Sequence, residues 1–374
     1  MTSHPKSSSD RSFNLLSPGL FRLFLACVVF AQHSTRLLLG ATAVFLFYAL
    51  SGYWISDMWE AKYRKTVNAP VTFYVSRLWR LFPAFWFANL AAIVEVAWLD
   101  KLPGGYSIHN GFGAALQNFF PNIFLLGYAF LPHSHRLLDS AWSLDVELQF
   151  YIIFPLLAML ATGWRSFVLL SLGLIGLWAV CIHGEPTYRH LGYYVFFFGI
   201  GVLMQHLKRF PSKTLAYVSA VSAALLVLAC IRIPAAHGLV LSAAHSDSNS
   251  SKWFYAANCF LAVVLFPLAF YTVTVRSDRT DRMLGDLSYL VYLFHIPALF
   301  LLLSMSSNYL DLPLRQRAPR LAAVWLAVFL VSYLFWRFVH TPLEVARRRF
   351  VAGRTQTESL TDAPPYAGVR QPLA

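Results

Sequence analysis

Charge is scarce in this chain. Only 13% of its 374 residues are Asp, Glu, Lys or Arg, about half the share of a soluble domain. That scarcity excludes an ordinary solvated globular surface. Acids are scarcer than bases, 17 against 30. The bases, however, sit in short loops between apolar runs rather than along one stripe, so the net charge of +13 does not call for a nucleic-acid partner. Cysteine is confined to Cys27, Cys181, Cys230 and Cys259. None is in CxxC spacing and each lies in an apolar segment, so they read as small buried hydrophobes and not as metal ligands or a disulfide framework. The first 18 residues are polar and Ser-rich and lack the charged start and cleavage box of a signal peptide.

What is abundant is apolar: 57% of the residues are hydrophobic and 16% aromatic. Apolar runs recur at about the 20 residues that cross a bilayer. They predict an all-α polytopic membrane protein with spans near 20–38, 42–59, 80–99, 144–162, 166–183, 190–206, 214–233, 253–275, 285–305 and 320–339. Residues 1–18 read as a polar tail, 19–345 as the membrane domain, and 346–374 as a basic and then disordered cytoplasmic tail.

Loop charge gives the orientation. Lys62, Arg64, Lys65, Arg77 and Arg80 mark one cytoplasmic loop, and Lys208, Arg209 and Lys213 another. Between those loops, the apolar piece 119–131 is too short and too interrupted by Pro and Gly to cross. Parity makes it re-entrant or interfacial, on the outer side. The result is ten crossings with both termini in the cytoplasm, and 21 of the 30 Lys and Arg fall on the inner side.

Four constellations stand out. Arg22 and His33 lie eleven residues apart in the first span, close to three helical turns, so they share one face roughly 16 Å apart. Singly, Arg22 could snorkel and His33 could hydrogen-bond a neighbouring helix. Two ionisable groups on one face at membrane depth are better explained by function. Arg77 and Arg80, three residues apart at the inner start of the third span, suit an anionic cofactor, because guanidinium forks grip phosphates and a helix N-terminus adds partial positive charge. Ordinary positive-inside anchoring is the plainer account of that pair taken alone.

The third constellation is Trp142-Ser143-Leu-Asp145-Val-Glu147-Leu-Gln-Phe-Tyr151. Ser143, Glu147 and Tyr151 follow at i, i+4 and i+8 and face one way, with Asp145 pointing elsewhere, toward solvent or the helix start. Glu147 falls near the depth of His33, where a carboxylate would fix the imidazole for general-base work. In the fourth, Ser288, Tyr292 and His295 share a helical face, and a satisfied interior histidine is as good an account of His295 as a functional one. Ser51-Gly52-Tyr53 reads as a close-packing step.

In this order the pieces resemble the acyltransferase-3 family of integral membrane acyltransferases. The resemblance rests on Arg22-x10-His33, Phe45-Leu-Phe-Tyr-Ala-Leu-Ser51-Gly52-Tyr-Trp-Ile55, and Arg77-x-x-Arg80 with Pro83. It continues through Trp142-Ser-Leu-Asp-Val-Glu147-Leu-Gln-Phe-Tyr151 and Gly285-Asp-Leu-Ser288-Tyr289-x-x-Tyr292-x-x-His295-x-Pro297. It covers about residues 18–345. Two departures stand: His340-Thr341-Pro342 where the family often shows Glu-Arg-Pro, and Leu148 where a second glutamate is frequent. The resemblance implies transfer of an acyl group, commonly acetyl, from cytoplasmic acyl-CoA to a hydroxyl of a carbohydrate or glycolipid acceptor in the cytoplasmic (inner) membrane, without a metal. It implies that Arg77, Arg80 and Arg22 bind the cofactor and that His33 is the base, partnered by Glu147, or else carries the acyl group. Trp142, Ser143, Tyr151, Tyr292 and His295 would line the acceptor side. It also implies a chain without the soluble hydrolase-like domain that longer relatives append. The competing readings are a transporter or flippase for an anionic or lipid-linked sugar, and a non-catalytic scaffold.

Overall fold

Each of the ten apolar runs contains a helix, because a backbone without water can satisfy its polar groups only internally. The computed structural model describes residues 16–99, 120–131, 136–160, 162–183, 189–241, 252–304 and 312–355. Its helices are α1 (Pro18–Ser34), α2 (Gly40–Ala61), α3 (Ala69–Leu99), α4 (Trp142–Leu157), α5 (Thr162–His183) and α6 (Leu191–Leu207). They continue with α7 (Lys213–Arg232), α8 (Lys252–Thr272), α9 (Arg279–Ser304), α10 (Leu314–Phe335) and α11 (Thr341–Ala352). Among the described residues the extended pairings are two isolated antiparallel bridges, Leu37 with Leu241 and Thr66 with Thr355. The fold is all-α, as the sequence predicts.

Among the described residues, five segments are long and apolar enough to cross a membrane: Gly163–His183, Lys213–Arg232, Trp253–Thr272, Arg279–Leu301 and Leu314–Ala352. On α5 and α7 the outward side chains are apolar, among them Trp164, Phe167, Ile175 and Leu225, as expected of helices facing lipid. By contrast α1, α4 and α6 have only 17, 16 and 17 residues. They are among the helices packed at the centre, where α1 lies against α9 and α2, and α2 against α6 and α8.

Local chemistry fixes the central helices. α1 begins with Pro18 in its first turn, where a missing N–H costs nothing. Gly19 and Leu20 donate their amides to Asp281 Oδ1 of α9 at 2.8 and 3.0 Å, so a carboxylate meets the positive helix end. Gln32 accepts the amide of Gly40 at 2.6 Å and starts α2. Asn258 of α8 accepts from the Thr42 amide and hydroxyl and donates to the Leu38 carbonyl, locking the α1–α2 corner. Gly52 of α2 and Gly201 of α6 bring two backbones into contact: a Cβ on Gly52 would strike the Phe198 carbonyl, and one on Gly201 that of Ala49. The close-packing reading of Ser51-Gly52-Tyr53 therefore holds for the glycine.

Three expectations change. First, α3 starts at Ala69 and not near residue 80, so Arg77 and Arg80 lie two to three turns inside the helix. The helix dipole, which acts within the first turn, does not reach them. The amphipathic stretch 69–79 extends the helix beyond its apolar part, and Pro83 sits within it. Second, the described part of the expected re-entrant piece, residues 120–131, is a short helical turn followed by left-handed Leu125 (φ 62°) and Gly127 (φ 84°) and a 3-10 turn at Tyr128–Phe130. It holds no helix of crossing length. Third, the boundary expected at residue 345 falls inside α11. A π-helical turn, Trp336–His340, leads from α10 into α11, covering the departure at His340-Thr341-Pro342. The tails at 1–15 and 356–374 lie outside the described residues.

Candidate active site

The site is built from α1, α2, α3, α4 and α9. On α2, Phe47, Ser51, Trp54 and Met58 recur at helical spacing and present one face to a cavity of about 200 Å³. Opposite them stand Arg77, Arg80 and Leu81 of α3, Glu147 and Tyr151 of α4, and Arg22 of α1. A second, smaller space of about 50 Å³ shares Arg22, Ser51 and Glu147 with the first and continues outward to Ser143, Ser288 and Tyr292. Together they line a polar path from the arginines of α3 to the outer part of α9.

Glu147 is the hub of that path. Its Oε1 accepts hydrogen bonds from the Ser51 and Tyr151 hydroxyls, both at 2.6 Å. Arg22 feels the opposing charges of Glu147 and of Asp286 on α9, and the like charge of Arg80. The two carboxylates offset part of the cost of burying a guanidinium at this depth.

Arg77 is 4% exposed and sits among three rings, with its guanidinium carbon 5.4 Å from the Tyr63 and Phe73 centroids and 5.8 Å from that of Tyr151. Its Nη2 donates to the Tyr63 hydroxyl at 3.1 Å. Burial pushes the Tyr63 hydroxyl up, but the charge of Arg77 with Ser76 and Arg347 holds it below its ordinary value. At the same rim, burial pushes the Glu60 carboxyl up, and Arg165 at 2.7 Å and Arg64 at 3.2 Å outweigh it to hold the pKa low.

The outer end is organised differently. Tyr292 hydroxyl bonds Ser143 Oγ at 2.5 Å and donates to the Ser140 carbonyl at 2.8 Å, and this pair closes the smaller cavity. Beyond it the His295 ring lies 6.0 Å from that of Tyr292 and 5.2 Å from that of His33. His33 is half-buried in the last turn of α1, and the charges acting on it are those of Asp139 and Arg189. His295 is fully buried, with Nδ1 3.2 Å from the Val291 carbonyl and, among the described residues, no hydrogen-bond partner at Nε2.

The structure therefore brings Arg22, Arg77, Arg80, Glu147 and Tyr151 to one cavity and Ser143 and Tyr292 to its outer wall. It holds His33, His295 and Trp142 outside both. Among the described residues Glu147 bonds Ser51 and Tyr151, and its expected pairing with His33 is not found. A 3-10 turn at Asp139–Ala141 precedes α4, and Asp139 is the acid whose charge acts on His33. Tyr151, expected on the acceptor side, stands on the Arg77 side. Trp142 lies flat under the Arg189 guanidinium, 4.2 Å from its ring centroid, and beside Tyr194.

Asp145 also differs from expectation. It is fully buried, and its Oδ2 accepts the Ala129 amide at 2.8 Å, while Arg136 Nη2 donates to the Ala129 carbonyl at 3.1 Å. It pins the 125–130 turns to α4. Sequence reasoning missed Ser51 and Tyr289 as cavity residues. The signal for Ser51 was its place on the Phe47–Met58 face.

Comparison with known proteins gives the same direction. An Acyltransferase domain family matches residues 11–337. Nodulation protein 10 of Rhizobium leguminosarum bv. viciae is 26% identical over 287 residues, covering 61% of this chain and 75% of that protein. A peptidoglycan O-acetyltransferase of Listeria monocytogenes is 22% identical over 343 residues, covering 81% of this chain and 51% of that enzyme, so the chain spans about half its length. A Komagataeibacter xylinus protein named as a membrane-bound transacylase is 27% identical over 363 residues, covering 91% and 86%. No solved structure matches the chain.

Proposed function

Because the chain belongs to the acyltransferase-3 family and is a membrane-embedded acyltransferase, we propose that it moves an acetyl group from cytoplasmic acetyl-CoA to a hydroxyl of a carbohydrate or glycolipid acceptor. It would work in the cytoplasmic membrane, with ten crossings and both termini inside. The observation that carries this reading is the polar path that begins at Arg77 and Arg80 and ends at Tyr292, one ring from His295 and two from His33. A transporter would also need a polar path, but family membership does not favour that rival.

In this reading Arg77 and Arg80 hold the donor's phosphates at the inner mouth, and Arg22 stands further along the path with Glu147 offsetting its charge. The thioester arm passes Ser51 and Tyr151 toward Ser143. Swinging Tyr292 off Ser143 opens the way to His33. There the imidazole takes the proton of the acceptor hydroxyl as that oxygen attacks the thioester carbonyl. The C–S bond then breaks, and the coenzyme leaves as a thiol with the proton from His33. Asp139, and not Glu147, is the acid whose charge acts on that imidazole. Trp142, Ser143, Tyr292 and His295 border the acceptor.

The test uses membranes from cells expressing the chain, which supply their own acceptor, and labelled acetyl-CoA. His33→Ala is expected to lower labelled product about 10²–10⁴-fold. Product at the wild-type rate would remove His33 from the chemistry.

A further inference from the structure

The mouth arginine is held by groups that do not cancel its charge. The Glu344 carboxylate of α11 grips Arg347 with two bonds of 2.7 Å and takes a third from Arg348 at 2.8 Å. Arg347 Nη1 passes on to Ser76 Oγ at 2.6 Å, and Ser76 meets the Tyr63 hydroxyl at 2.7 Å. Tyr63 in turn receives Arg77 Nη2 at 3.1 Å. The far end of this chain is also tied down, since Val67 donates its amide to the Arg354 carbonyl at 2.8 Å and Thr66 bridges Thr355.

A carboxylate placed directly on Arg77 would neutralise it and compete with an anionic ligand. Here the carboxylate is four contacts away and is paired with Arg347. Arg77 meets a phenol, a thioether sulfur at 3.2 Å and three ring faces, all of which orient a cation and leave its charge available. We propose that Arg347 and Tyr63 are positioning residues for donor binding: through Ser76 they fix Arg77 in the orientation that grips an acyl-CoA phosphate. This rests on the donor reading of the inner mouth. It gives α11, seven residues beyond the His340 position where the family triplet departs, a part in the site.

The experiment measures acetyl-CoA affinity by titration calorimetry on the full chain in lipid nanodiscs. Arg77→Ala, Tyr63→Phe and Arg347→Ala are each expected to weaken binding about tenfold or more, with Arg347→Lys recovering part of the loss. In the double variant Arg77→Ala/Arg347→Ala, loss of Arg347 should cost nothing further, because the two act through one contact chain. A purely structural role for Arg347 predicts additive losses, and that result overturns the proposal. Normal affinity in Tyr63→Phe and Arg347→Ala with weakened Arg77→Ala overturns it while sparing the donor reading. Normal affinity in Arg77→Ala, or no binding by the wild type, removes the donor reading and this proposal together.

Discussion

The inner and outer ends of the site solve the same problem with opposite chemistry. At the inner end, Glu147 accepts the Ser51 and Tyr151 hydroxyls, and its charge opposes that of Arg22. At the outer end, His33 and His295 are held mainly by ring contacts with each other, with Phe30 and with Tyr292. The difference teaches where each end draws its order. A charge lock holds shape before any ligand arrives, which suits a binding mouth. Ring packing places an imidazole without a charged partner, which suits a group that must give and take a proton.

The sharpest way to break that contrast is to unlock the inner end. Glu147→Leu leaves the Ser51 and Tyr151 hydroxyls without their acceptor and removes a charge that opposes Arg22, and should cost about 2–4 kcal/mol of stability. Thermal unfolding in nanodiscs reads the loss, and adding Arg22→Met should restore much of it while activity stays absent. A Glu147→Leu protein as stable as the wild type would end the idea of a charge lock.

The outer end should yield less. Tyr292→Phe keeps the ring packing and removes the bonds to Ser143 and Ser140, at about 1–2 kcal/mol. If this variant loses as much stability as Glu147→Leu, the outer end is locked too and the contrast disappears. The smallest effect lies at the rim. Glu60 has a depressed pKa when folded, so its contribution is full above the ordinary glutamate value of about 4.3 and fades as pH falls below it. Between pH 6 and pH 4 the wild type should lose slightly more thermal midpoint than Glu60→Gln, and equal losses would show the pair to be idle.

Much of this was legible in the residues. Apolar runs marked ten of the eleven named helices, all but α11, because membrane backbones have few alternatives to helix. The spacing Ser143, Glu147, Tyr151 marked a shared face that does line the cavity. What pattern could not supply was depth across different helices. Glu147 and His33 seemed level when each was counted from its own apolar run, yet the bonds of Glu147 go to Ser51 and Tyr151. The start of α3 was hidden for a related reason, since Lys and Arg near a helix end lower hydropathy without lowering helix formation. Asp145 was illegible because its partner, the Ala129 amide, is chosen by tertiary packing; Glu344 and Arg347 are an i, i+3 pair on α11, and what the pattern hid is the reach of Arg347 to Ser76.

The glycine seam between α2 and α6 has a consequence best expressed in time. With Gly52 against Phe198 and Gly201 against Ala49, the two helices cannot rock past one another without separating backbones that touch. Large rigid-body motions of packed segments run in microseconds to milliseconds, whereas rotamer changes are far faster. The α2 wall of the polar path is thus slow compared with a rotamer change, and the opening at Tyr292 is set first by that side chain.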